Sequence, residues 1–164
     1  MEPRPRYSKR LRALPYIIAG FSVAAEFRGV QSRIVIEDRT FRTRALMALA
    51  SNIQLYASFF NIAPHARMDD GLLDIFVFKG LGFSYALRHL FLLFSGRTLR
   101  DPKVMHALAR TMRVETNPSV AVQLDGDPCG NTPTGITITP GALRLLVPPQ
   151  APKSLFSKAP EQVL

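Results

Sequence analysis

The chain has 164 residues, 47% of them hydrophobic and 20% charged, which excludes a disordered polymer and suffices for one packed domain. A single cysteine, Cys129, excludes a disulfide framework and a multi-cysteine zinc site. Lys and Arg number 21 against 12 Asp and Glu, a formal charge of +9 that favours a polyanionic partner and says nothing about fold.

Residues 1–10 are rich in Pro and Arg and read as a flexible basic tail. Residues 11–30 follow as a helix packing on the domain, with apolar side chains at Leu11, Leu14, Ile18, Phe21 and Ala25 and Pro15 in the first turn. Its apolar run is shorter than the ~20 residues of a spanning helix. A basic start before an apolar run also suits a signal peptide. Glu26 and Arg28 close that run and no good cleavage site follows, so a tail leading into a half-buried helix is the better reading. The period then changes to that of strands. Residues 32–37 form one strand and 40–51 a second, joined at an Asp38-Arg39 tip. Residues 72–78 (LLDIFVF) are too apolar for an exposed strand and too short for a helix, which predicts a buried strand. Phe83, Leu87, Leu90, Phe91 and Phe94 make a helical stripe closed by Gly96. Asp101 as N-cap and Pro102 as first helical residue predict a second helix to about Ala109. Strands at 111–115, 120–124, 135–139 and 142–147 complete the pattern, before a flexible tail at 149–164. The expected fold is mainly β: a two-layer antiparallel β-sandwich over residues 31–148, with a leading helix and an inserted helical pair.

Several chemistries are absent from the pattern. His65, His89 and His106 fall in different elements without the HxxxH spacing of a zinc hydrolase. There is no GxSxG elbow and no phosphate loop, and Gly80-Leu81-Gly82 lacks the third glycine of a dinucleotide fingerprint. Cys129, between Pro128 and Gly130, has no basic neighbour to activate it and reads as an incidental loop residue. Two acidic turns remain. Met68-Asp69-Asp70-Gly71-Leu72 is either a plain turn or a hard-cation site made of a carboxylate and turn carbonyls. Gln123-Leu124-Asp125-Gly126-Asp127-Pro128 is either a tight turn or a strand end that presents Asp125 as a proton acceptor or metal ligand.

Together the two turns and their flanks are more specific. The run from Asn61 through Pro64, Asp69, Asp70, Gly71, Leu72, Leu73 and Asp74 resembles the "aPxAxxdDGlLDv" signature of soluble diacylglycerol kinase-like lipid kinases, relatives of the NAD kinases. Asp125-Gly126-Asp127, then Thr132-Pro133 and Pro140-Gly141-Ala142-Leu143, resembles that family's "DGE … PgAl" close. Gly96 through Asp101-Pro102-Lys103-Val104 is similar to its "GxhxxxPxV" stretch. The likeness runs from about Leu11 to Pro148 and covers the C-terminal lobe alone. No GGDGT motif is present, so the nucleotide-binding lobe is expected outside this sequence, and the chain alone is expected to turn over nothing measurable. The resemblance implies Asp125 as catalytic base, with Asp127 at the position of a glutamate. It also implies a Mg²⁺ site of the Asp70 side chain and the carbonyls of Arg67 and Leu72, and ATP as phosphoryl donor.

The implied partners are a lipid with a free hydroxyl at a membrane surface, the missing lobe, an anionic membrane and a second copy in a homodimer. Nucleic acid is not expected, since no interleaved aromatic signature is present. A cytoplasmic setting with peripheral membrane association follows from the family. Arg4, Arg6, Lys9, Arg10 and Arg12 beside the leading apolar run, and the 83–94 helix, are the membrane-facing candidates; both could instead pack on the domain or on the other lobe. Two rival readings are a non-catalytic basic adaptor for membrane or nucleic acid, and an inactive regulatory remnant of a kinase.

Overall fold

The computed structural model describes residues 28–56, 60–148 and 150–159; the expected basic tail and residues 11–27 of the expected leading helix lie outside them, and Val30, expected at the end of that helix, instead begins the first strand. Ten strands appear in the described residues: β1 (Val30–Ile36), β2 (Arg39–Ser51), β3 (Leu55–Tyr56), β4 (Phe60–Asn61), β5 (Leu73–Lys79), β6 (Val104–Ala109), β7 (Thr111–Asn117), β8 (Ala121–Leu124), β9 (Asp127–Asn131) and β10 (Thr134–Thr137). One α-helix, α1 (Phe83–Ser95), follows β5. Six strands form one antiparallel sheet in the order β10-β7-β1-β2-β5-β6, and β3-β4 and β8-β9 are separate two-stranded ribbons.

The long strand β2 explains how one sheet acts as two layers. Its first half pairs with β1 and its second half with β5, with a register shift between Ala45 and Met47. A bulge bends a strand and increases its twist, so the two halves turn toward each other. Ile34 and Ile36 from β1, and Met112 and Val114 from β7, thereby share one buried cluster with Leu73, Ile75 and Val77 from β5. Glu37, in the β1–β2 turn, closes this end by accepting the backbone N–H groups of Arg110 and Thr111. The expected hairpin is present, with its turn at Glu37-Asp38, one residue earlier than predicted.

β5 is buried on both faces, as its unbroken apolar run predicts. Ile75 and Val77 face the shared core, while Phe76 and Phe78 pack with Ile62, Ala63 and Ala66. Leu93 of α1 joins this second cluster. His89 of α1 is also buried; its Nε2–H donates to the Lys79 carbonyl at 2.9 Å, and its ring meets Phe78 edge-on.

Three expectations change, and one alternative left open by the sequence narrows. The apolar stripe of α1 does not face the core: Leu87 is 43% exposed, Phe91 67% and Phe94 55%. The helix instead docks through His89 and Leu93, because His89 finds a carbonyl to satisfy it at the end of β5. The second member of the helical pair is absent. After a short 3₁₀ turn (Thr98–Arg100), residues 104–109 pair with β5 as a strand. Asp101 does accept the Lys103 N–H at 2.8 Å, but that bond builds a turn, and the open edge of β5 takes up the residues after it. The predicted last strand at 142–147 is unpaired, with Leu143, Leu145 and Leu146 exposed. Residues 150–159, expected as loose tail, are held against the 52–70 loop: Met68 N–H donates to the Leu155 carbonyl and the Gln54 amide to that of Ser154.

Candidate functional site

β8 and β9 form a hairpin that pairs with no strand of the main sheet. Leu124 faces Asp127 across the turn, leaving a two-residue loop of Asp125 and Gly126. Both have positive φ, 52° and 101°. That is the type I′ geometry which Asp-Gly favours, since it matches the twist of the flanking strands. Asp125 thus sits at the tip of a projecting arm, and Asp127 begins the return strand. Both are exposed, and neither carboxylate makes a hydrogen bond or ion pair among the described residues.

The base of the arm is held tightly. Thr132 is 7% exposed. Its Oγ1 accepts the Val120 N–H at 3.0 Å and bonds the Thr116 hydroxyl. Its N–H donates to the Val120 carbonyl at 2.9 Å, and its carbonyl accepts the Ser119 hydroxyl at 2.6 Å. One side chain therefore ties both arms of the hairpin to β7, and fixes the direction in which Asp125 projects.

The other acidic turn precedes β5. Asp70 Oδ1 accepts the Leu72 N–H at 2.9 Å, the usual Asx turn. Gly71 has φ +71°, and a Cβ there would meet Pro140 at 3.0 Å. The glycine of one signature therefore packs on the proline of the other, which accounts for both. Asp69 points away, accepting the N–H groups of Ser157 and Lys158. Burial raises its carboxyl, but these donors outweigh it and hold the group below the usual carboxylate range. Beside this turn, the Asn52 amide N–H reaches the Met68 carbonyl at 3.4 Å, while Asn52 Oδ1 is buried without a partner. No group of three His, Cys, Asp or Glu side chains gathers here among the described residues. Mg²⁺ does not need one, since it binds through one or two carboxylates, carbonyls and water. The half-buried Asp70 carboxylate and the carbonyls of its turn are oxygen donors of the kind that hard cation takes.

Two features escape sequence reading. Asp74, 3% exposed, accepts the His106 Nε2–H at 2.7 Å, and that ring stacks on Phe76 at 4.6 Å. Only the β5–β6 register, which sets Phe76 opposite His106, brings them together. Asn52 lies in a stretch without periodicity, so nothing in the sequence marks it.

Fold and turns together define a mainly-β, sandwich-like domain that carries a projecting acidic arm and an oxygen-rich turn. Residues 5–147 match the family described as the YegS C-terminal NAD kinase beta sandwich-like domain, and the chain belongs to that family. Curated relatives named diacylglycerol kinase come from Staphylococcus epidermidis (28% identical over 119 residues, 72% of this chain and 37% of the relative) and Staphylococcus saprophyticus (28%, 72% and 39%). The chain thus spans under two-fifths of their length. Two solved chains from Bacillus anthracis share the fold. One superposes with TM-score 0.63 at 20% identity over 82% of this chain and 47% of its own length. The other, described as a diacylglycerol kinase, does so with TM-score 0.57 at 20% identity over 75% and 44%.

Proposed function

We propose that this chain is the C-terminal lobe of an ATP-dependent lipid kinase, and that its hairpin carries the catalytic base to a cleft completed by the nucleotide-binding lobe. The observation that carries the reading is the arm itself. An exposed carboxylate is held at the tip of a two-residue hairpin turn, with no side-chain partner among the described residues. Asp125 takes the proton of a lipid hydroxyl as that oxygen bonds to the γ-phosphorus of ATP and the bond to the bridging oxygen of ADP breaks. Phosphoryl transfer depends mostly on positioning and charge stabilisation, so most of the rate belongs to groups of the other lobe. Asp127, one methylene shorter than the family's glutamate, lies beside the base and lends its charge to the same tip. Asp70, with the carbonyls of Arg67 and Leu72, would hold Mg²⁺, which when bound supplies a fixed positive charge to the turn. Asp70 and the packing of Gly71 on Pro140 order that turn in the protein itself.

The test is reconstitution with a nucleotide-binding lobe from a relative and assay of phosphate transfer from ATP to diacylglycerol. Asp125→Asn preserves the turn, since Asn-Gly is as favourable as Asp-Gly there. It should lower kcat about 10²–10⁴-fold. A rate equal to wild type would remove Asp125 from the role of base. Asp70→Asn should abolish any Mg²⁺-dependent rise in Tm; a rise of unchanged size would place the cation elsewhere.

A further inference from the structure

We infer, independently of the catalytic reading, that the outer face of β1 and its two neighbours is a binding site for a soluble phosphate: inorganic phosphate, pyrophosphate or the phosphate end of a small metabolite. Residues directly opposed in an antiparallel pair share a face, so the register fixes what this face displays. One row sets Glu115, Arg33 and Arg42 side by side across β7, β1 and β2. The next row sets Asn117, Gln31 and Arg44 side by side across the same strands. The inner face of these strands carries Ile34, Ile36, Met112 and Val114 instead. Successive rows on one face lie about 7 Å apart and neighbouring strands about 4.8 Å, so the three guanidinium groups can reach one small anion. An open hollow of about 560 Å³ lies over these two rows.

The charges on this face do not balance. Both oxygens of Glu115 accept from Arg33 Nη1, at 3.1 and 3.0 Å, and Oε1 also pairs with Arg113 Nε at 3.3 Å. One carboxylate thus serves two guanidinium groups, and Arg33 keeps donors that Glu115 does not occupy. Arg42 and Arg44 have no ion pair among the described residues. Arg42 stands directly opposite Arg33. Like charges so placed destabilise a sheet, and an anion between them removes that cost. Guanidinium forks match phosphate oxygens two at a time. The rest of the lining selects the class of ligand. It holds no aromatic ring on which a base could stack and no large apolar side chain to enter a bilayer. Its size is that of a small-molecule site, and charge with hydrogen bonding is all it offers. Thr116 also lines the hollow, and its hydroxyl bonds Thr132 at the base of the acidic arm. A bound phosphate therefore orders the end of β7 from which the arm departs.

Isothermal titration of the 164-residue chain with inorganic phosphate and with pyrophosphate tests this site. Both should bind, pyrophosphate the more tightly for its greater charge, and raised sodium chloride should weaken both. Arg42→Ala with Arg44→Ala should lower the affinity about tenfold or more. Both positions are exposed, so this pair should melt within about 2 °C of wild type. Arg42→Lys with Arg44→Lys keeps the charge, loses the fork and should weaken binding about threefold. Glu115→Gln releases Arg33 and should tighten binding about twofold to fivefold. Pyrophosphate at saturation should also slow amide exchange at Thr116 and Asn117. Should the Ala pair fail to fold, the Lys pair and Glu115→Gln carry the test. Three results would overturn the inference: no binding of pyrophosphate at millimolar concentration, equal affinity in wild type and the Ala or Lys pair, or weaker binding by Glu115→Gln. Binding to vesicles of phosphatidylglycerol that the Ala pair abolishes, with pyrophosphate ignored, would assign the face to a lipid surface and overturn it as well.

Discussion

Replacing Thr132 by Val removes one hydroxyl from the base of the acidic arm and changes little else. Val keeps the volume and the β-branch, and the backbone bonds from Thr132 to Val120 and Ser119 remain. What is lost is the acceptor for the half-buried Val120 N–H at 3.0 Å, and the partner of the Thr116 hydroxyl. A buried donor left without a partner costs about 1–3 kcal/mol. Taking about 2 kcal/mol, and about 2–4 °C per kcal/mol for a chain of this size, Tm should fall by about 4–8 °C. The loss should be local in its consequences. Amide exchange at Ala121 to Asn131 should accelerate more than exchange in β5, because the clamp ties the arm and not the core. Calorimetry and exchange mass spectrometry on the two proteins would show it. An unchanged Tm with unchanged exchange in the arm would refute the claim that Thr132 holds the hairpin in place.

Asp101 makes a second case. Its carboxyl is held below the usual range first by hydrogen bonds from Arg88, against the opposing effect of burial, with the Lys103 N–H adding to the lowering. A depressed carboxyl stabilises the fold fully above its unfolded value near 3.8, and the contribution is lost as pH falls through the folded value. Asp101→Asn should therefore cost about 2 kcal/mol at pH 7, and its stability should converge on that of wild type in acid below pH 4. Parallel urea melts across pH decide it, and a constant gap between the two proteins would refute the ion-pair account. Phe76→Ala should cost about 3–5 kcal/mol, a large part of the ~5–15 kcal/mol of a typical domain. The side chain is 0% exposed between the Phe78 and His106 rings, so a small loss in the urea midpoint would contradict burial of β5 on its second face.

Much of this protein is legible locally. The run at 72–78 identifies a buried strand because only burial on both faces tolerates an unbroken apolar sequence. Asp125-Gly126 identifies a hairpin tip because few residue pairs accept two positive φ angles in succession. Gly96 ends α1 where the periodicity says it should. Local rules fail where two structures share one signal. Asp101-Pro102 opens a helix or a turn with equal ease, and the free edge of β5, distant in sequence, settles it as a turn before β6. The stripe on α1 reveals a helix, but its period carries no information about which side packs.

By itself the sequence determined the class of fold, the β1–β2 hairpin, the buried β5 and the two acidic turns, since each depends on period and turn chemistry within a few residues. The tertiary structure alone decided that β2 bends to serve two layers and that α1 shows its apolar side to solvent. It also decided that Asp74 meets His106 and that Thr132 anchors the arm bearing Asp125. Those outcomes depend on contacts between residues far apart in the chain, where a single register or one satisfied carbonyl outweighs every local preference.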